Sequence, residues 1–164
     1  MKKLLLINLI LAYSFINYGQ DVQVGIDRKV EIDYIDSLVN AINNNKNLKT
    51  RKTNDPLVLT YHYELGFTTT IYKFDSVEKK LYEVYSESGN KTDTITNVYY
   101  YLEGKPILII IQSTRDRIVR SQTFFYFRKK KWFFFRGGFR DDVSSRSMYK
   151  ASMHYLKSFK KWKY

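Results

Sequence analysis

The stretch 107-ILIIIQSTRDRIVRSQTFFYFRKKKWFFF-135 decides the fold. Ile107 to Ile111 has no polar alternation, and Phe124-Phe125-Tyr126-Phe127 faces Trp132-Phe133-Phe134-Phe135 across a basic tip at Lys129 and Lys130. Apolar runs this short are strands, and strands apolar on both faces are central or covered on both sides. They predict strands over Ile107 to Ser113, Ile118 to Arg128 and Lys131 to Arg136.

Upstream the same two-residue period continues. Leu57, Leu59, Tyr61 and Tyr63 alternate with Val58, Thr60, His62 and Glu64, then Leu65-Gly66 is read as a turn and Phe67 to Phe74 as a second strand. Leu81 to Glu87 and Ile95 to Leu102 follow, the latter joined to Ile107 by the compact connection Glu103-Gly104-Lys105-Pro106. The expectation is an antiparallel meander of about seven strands. Residues 46–56, polar and basic, are read as a connector into it.

Helical periodicity flanks the meander. Val30, Tyr34, Leu38, Ala41 and Ile42 form a broad apolar stripe after Asp27, ended by the asparagine-rich run Asn43 to Asn47. Near the C-terminus, Met148, Ala151, Tyr155, Phe159 and Trp162 recur at three- and four-residue steps, with Ser144 or Ser145 as the cap. The fold class is therefore α+β: an N-terminal helix packed on a curved antiparallel meander, with a C-terminal helix closing an edge or end. The element order fits a cystatin-like or nuclear-transport-factor-like cone, with a lipocalin-like barrel as the alternative.

Lys2 and Lys3 precede a mostly apolar run from Leu4 to Ile16, which reads as a secretory signal peptide over residues 1–19 before a single domain over 20–164. The run is shorter than the ~20 residues that span a bilayer, so no transmembrane helix is expected. The chain has no cysteine, which closes the lipoprotein route and removes thiol catalysis and thiolate metal sites. Export, to the periplasm or the medium, argues against intracellular nucleic acid as a partner despite a formal net charge of +12.

No nucleophile elbow, phosphate-binding glycine loop or metal-ligand spacing occurs, and neither a cofactor nor a metal is implied. The binding signal is instead cationic and aromatic. Arg115 and Arg117 enter one end of the last hairpin, Lys129 to Lys131 crown the other, and Arg140 and Arg146 are expected to join the Arg115 end, where guanidinium forks grip phosphate or carboxylate. Tyr61, Tyr63 and His62 are the candidates on the sheet, among 15 tyrosines that serve either as a stacking platform or simply as strand formers. Lys160, Lys161, Trp162 and Lys163 offer peripheral membrane contact at the C-terminus.

The export signal, the abundance of Lys, Asn, Ile and Tyr, and the hairpin from Val98 to Pro106 resemble small exported proteins of Bacteroidota-type bacteria. That resemblance implies export and no defined activity. The leading expectation is a non-catalytic binding domain for an anionic envelope component or a protein partner. Two alternatives are a carrier with an apolar cavity between helix and sheet, and a cone-fold hydrolase in which His62 meets a carboxylate.

Overall fold

The computed structural model describes residues 27–58, 65–90, 92–138 and 145–162. Packing divides the chain into units 1–38 and 39–164. In the first, residues 27–38 belong to helix α1, whose described part is 27–44, with an exposed Lys29–Asp33 ion pair of 2.7 Å one turn apart. The helix ends in the asparagine run as the sequence predicts, Asn45 N–H returning to the Ile42 carbonyl at 3.3 Å.

The second unit is built on one antiparallel sheet of seven strands in sequence order, β1 to β7. They are Lys49–Val58, Leu65–Asp75, Lys80–Gly89, Asp93–Leu102, Lys105–Arg115, Ile118–Arg128 and Lys131–Gly137. The barrel alternative is excluded, because β1 and β7 are opposite edges of an open sheet. Two other expectations are corrected. The basic connector belongs largely to β1, since Lys49 to Asn54 pair in register with Phe74 to Thr69, and Leu65-Gly66 is paired strand with Val58 and Leu57 opposite. Extended polar residues at a sheet edge read like a loop, because their pairing is to a distant strand rather than encoded by their own periodicity.

Two turns show why the hairpins are tight. Glu103 and Gly104 take φ of 51° and 71°, and Asp116 and Arg117 take 50° and 64°, so each two-residue connection adopts the left-handed pair that matches the twist of its strands. At the end of β7, Gly137 has φ of 115° and approaches the Gln122 carbonyl so closely that no Cβ fits.

Helix α2, Ser145–Lys160, lies across one face of the sheet rather than closing an edge. At about 1.5 Å per residue its 16 residues span ~24 Å, close to the ~29 Å width of seven strands at about 4.8 Å spacing. Met148, Ser152, Leu156 and Phe159 are its buried side. They pack on Tyr72, Phe74, Leu81, Val84, Tyr99, Tyr101, Ile109, Phe125 and Phe127, so every strand from β2 to β6 contributes to the core. Ser152 is fully buried where a larger side chain would hold the helix off the sheet, and its carbonyl accepts the Tyr101 hydroxyl at 2.8 Å. Trp162 rests on Tyr72 at 4.7 Å and on Phe159 at 5.3 Å, with the Arg51 guanidinium 4.3 Å from its ring centroid.

The opposite face carries Tyr100, Leu108 and Tyr126, all buried. The last turn of α1 is fastened there through Asn43: its carbonyl accepts from Lys73 Nζ at 3.4 Å and its Oδ1 from the Tyr100 hydroxyl at 3.3 Å.

Candidate functional site

The sequence-predicted site residues separate in space. Tyr61, His62, Tyr63 and Arg140 lie outside the described residues. Arg115 and Arg117 stand at the β5–β6 turn, where Arg115 is 3.7 Å from the Asp93 carboxylate across the strand pair and both side chains are largely exposed. Arg146 does not join them. It sits in the first turn of α2 beside Lys130 and Lys131, at the far end of β6, roughly 33 Å along the strand at about 3.3 Å per residue. The reason is the diagonal path of α2, which starts next to the β6–β7 tip before crossing the sheet.

What gathers at that tip is a cleft of about 520 Å³ lined by Lys130, Lys131, Ser145, Arg146, Tyr149 and Lys150. Each position has a local cause. Lys130 and Lys131 lie at the β6–β7 turn, which Lys129 makes possible with φ of 58°. Arg146 and Lys150 are one helical turn apart and share a side of α2, and Tyr149 between them packs partly into the core. All four charged residues that border it are cationic and exposed, while the surface of the cleft itself is mostly apolar.

Nothing acidic offsets them among the described residues. The ion pairs found there are Lys29–Asp33, Lys73–Glu83, Lys80–Glu78 and Arg115–Asp93, none of which reaches the cleft. The first turn of α2 holds no acidic residue either. Helix N-termini carry about half a positive charge and ordinarily attract Asp or Glu, so Arg146 there adds repulsion of roughly 0.3–1 kcal/mol that an anion would relieve. The cleft is thus an anion-attracting arrangement with no internal counter-charge among the described residues.

A second cleft, about 570 Å³, lies between the β2–β3 and β4–β5 turns and the C-terminal half of α2. Its lining mixes Lys79, Lys80 and Lys160 with Glu103, and Lys80 is already held 2.7 Å from Glu78. Its charges partly cancel, which makes it the weaker anion site.

Several of the described tyrosines are structural. Tyr72, Tyr99, Tyr100 and Tyr101 are buried, so these members of the expected platform present no stacking surface. Burial pushes the Tyr99 and Tyr101 hydroxyls well above the usual phenol range. Tyr155 joins them, its hydroxyl 3.1 Å from Ser86 Oγ and its ring 5.2 Å from that of Tyr99.

Carboxylates on the other face are also held. Glu83 stands 3.7 Å from Lys73, and burial raises its pKa while Lys73 opposes the shift. Glu87 accepts a short hydrogen bond from Tyr85. His154 is exposed on α2 with its ring edge-on to Tyr155. Among the described residues no three His, Cys, Asp or Glu side chains converge as a metal site would require, and no helix is long and apolar enough to cross a membrane.

Sequence reading missed Ser145, Tyr149 and Lys150 as site residues. The available signal was the i, i+4 spacing of Arg146 and Lys150 in a helix start devoid of acids; their proximity to Lys130 and Lys131 depends on tertiary structure. Comparison of the chain with protein-family profiles, with curated proteins and with solved structures finds no match.

Proposed function

We propose that the protein is a non-catalytic binding domain for an anionic partner, which it meets through the cleft between the β6–β7 tip and the start of α2. One observation carries this: Lys130, Lys131, Arg146 and Lys150 all border this mostly apolar cleft, and among the described residues none of them is ion-paired to a carboxylate. Four cations beside a helix N-terminus, without a carboxylate partner among the described residues, repel one another and gain when an anion neutralises them. In keeping with the export signal read at residues 1–19, the partner is an anionic envelope component or an acidic protein face.

The carrier reading draws less support, since the space between α2 and the sheet is filled by Tyr101, Phe125 and Phe159, each at most 1% exposed. The test is binding of inorganic tripolyphosphate and of polyglutamate, measured by calorimetry at low and high salt. The reading predicts binding that weakens with salt and is lost in Lys130→Glu/Arg146→Glu, while Arg120→Glu near the opposite end binds like the native protein. Equal loss in both variants would mean that net charge alone, and not the cleft, attracts anions.

A further inference from the structure

The cleft beside the β6–β7 tip combines two kinds of surface. Lys130, Lys131, Ser145, Arg146, Tyr149 and Lys150 line it, with no aliphatic side chain among them, yet its surface is mostly apolar. With that lining the hydrocarbon comes from the Tyr149 ring and from the methylene stems of the four cations. Long cationic side chains lay their stems along a surface and keep their charged heads in water. The four heads, all on exposed residues, therefore stand at the rim, and the stems form the walls together with Tyr149, which is half-buried against the core.

An inorganic anion meets only the rim and leaves the ring and stems in water. At about 520 Å³ the cleft is in the size range of sites that take a small organic molecule. A ligand with an apolar group and one anionic end meets both surfaces. Its apolar group removes hydrocarbon from water, and its phosphate or carboxylate accepts hydrogen bonds from the Arg146 fork and the lysine heads. The charge of the rim selects the head group, since none of the four cations is ion-paired to a carboxylate among the described residues. The second cleft lacks that selection, because Glu103 stands among its lysines. Concavity selects a single molecule: a flat bilayer brings head groups to the rim but no acyl chain to the ring and stems.

We infer that this cleft binds a free anionic amphiphile, an organic phosphate or carboxylate whose apolar group packs on Tyr149 and the cation stems while its anionic end is held at the rim. This rests on the anion-binding reading and deepens it, since it names the class of anion.

The test compares hexyl phosphate, methyl phosphate and hexyltrimethylammonium on the full chain by calorimetry, and locates the hexyl chain by nuclear Overhauser contacts. Each buried methylene is worth roughly threefold to fourfold in affinity, so hexyl phosphate is expected to bind at least about tenfold more tightly than methyl phosphate. Hexyltrimethylammonium is expected not to bind. Contacts are expected from the hexyl chain to the Tyr149 ring and the Lys150 stem. Tyr149→Ser is expected to shrink the hexyl advantage and leave methyl phosphate unchanged; should that variant fail to fold, the contacts on the native chain decide.

Equal affinity for hexyl and methyl phosphate, or binding of tripolyphosphate without hexyl phosphate, overturns the inference while leaving the anion site standing. A hexyl advantage that survives in Lys130→Glu/Arg146→Glu, or contacts that map to Leu81 and Leu102 of the second cleft, overturns it as well. Binding to phosphatidylglycerol vesicles with none to free hexyl phosphate shows a bilayer as the occupant, which again overturns it. Failure of hexyl phosphate and tripolyphosphate alike brings down the anion-binding reading itself.

Discussion

At the residue scale, two polar contacts, one half-buried and one fully buried, make predictions with a defined pH sense. Lys73, Glu83 and Tyr100 are neighbours across three strands, and Glu83 is held against water loss chiefly by Lys73 at 3.7 Å. Burial raises the Glu83 pKa above its ordinary 4.5, so its contribution to stability is fully present below 4.5 and is lost as pH rises through the folded value. Near neutrality the carboxylate therefore needs Lys73. Lys73→Met is expected to lower stability by on the order of 1–3 kcal/mol at neutral pH, Glu83→Gln by much less, and the gap between them to close below pH 4.5. Thermal unfolding across that range checks it; a Lys73→Met penalty independent of pH would show that only packing was lost.

Tyr101 supplies the second residue-scale case. Its hydroxyl donates to the Ser152 carbonyl at 2.8 Å in a fully buried setting, so Tyr101→Phe removes the bond and leaves the carbonyl with an unmet lone pair. The expected loss is about 1–2 kcal/mol by urea unfolding. Because the folded pKa values of Tyr99 and Tyr101 lie above the ordinary 10, the stability held in their neutral phenols is present below pH 10 and lost above it. These two rings are expected to ionise only as the protein unfolds, which ultraviolet titration beside circular dichroism would show.

Among elements, α2 is the one on which both core and site depend. Phe159 is 1% exposed and meets Phe74 with ring centroids 5.5 Å apart, so Phe159→Ala is expected to cost about 3–5 kcal/mol, read by denaturant unfolding. A loss under about 1 kcal/mol would contradict the packing of α2 across the sheet.

The sequence made α2 legible as a helix and its apolar stripe reaches the core: Met148 and Phe159 are buried, and Ala151, Tyr155 and Trp162 pack against them half-buried. It did not show Leu156 and Ser152 as buried too, and the serine can be buried because its hydroxyl returns to the Tyr149 carbonyl, here at 2.8 Å. The strands from Leu81 onward were legible because apolar runs and turn residues mark them. β1 was not: Lys49 to Asn54 have no apolar face, and only pairing with Phe74 to Thr69 makes them a strand. The candidate site was half legible for a similar reason. Arg115, Arg117 and the Lys129 to Lys131 tip follow from hairpin geometry, whereas the company Arg146 keeps is set by where α2 begins.

Across the sheet as a whole, charge is distributed between two ends with different states. Arg115 has Asp93 opposite it, while the β6–β7 end holds four exposed cations without a carboxylate partner among the described residues. An exposed pair such as Arg115–Asp93 contributes little to stability, whereas clustered like charge creates a local potential that steers an anion to one place. The neutral consequence for stability is that weakening the cluster should not harm folding: Arg146→Ala is expected to keep or slightly raise the melting temperature, since it removes a cation from a helix N-terminus.

The most direct measurement is an amide-resolved NMR titration of the protein with inorganic tripolyphosphate at low salt. The account predicts shift changes concentrated at Lys130, Lys131 and Ser145 to Lys150, reversed by added salt, with Arg115, Arg117 and Arg120 little affected. Changes centred on Arg115 to Arg120, or spread evenly over every exposed lysine and arginine, would contradict a cationic cleft built by the β6–β7 tip and α2.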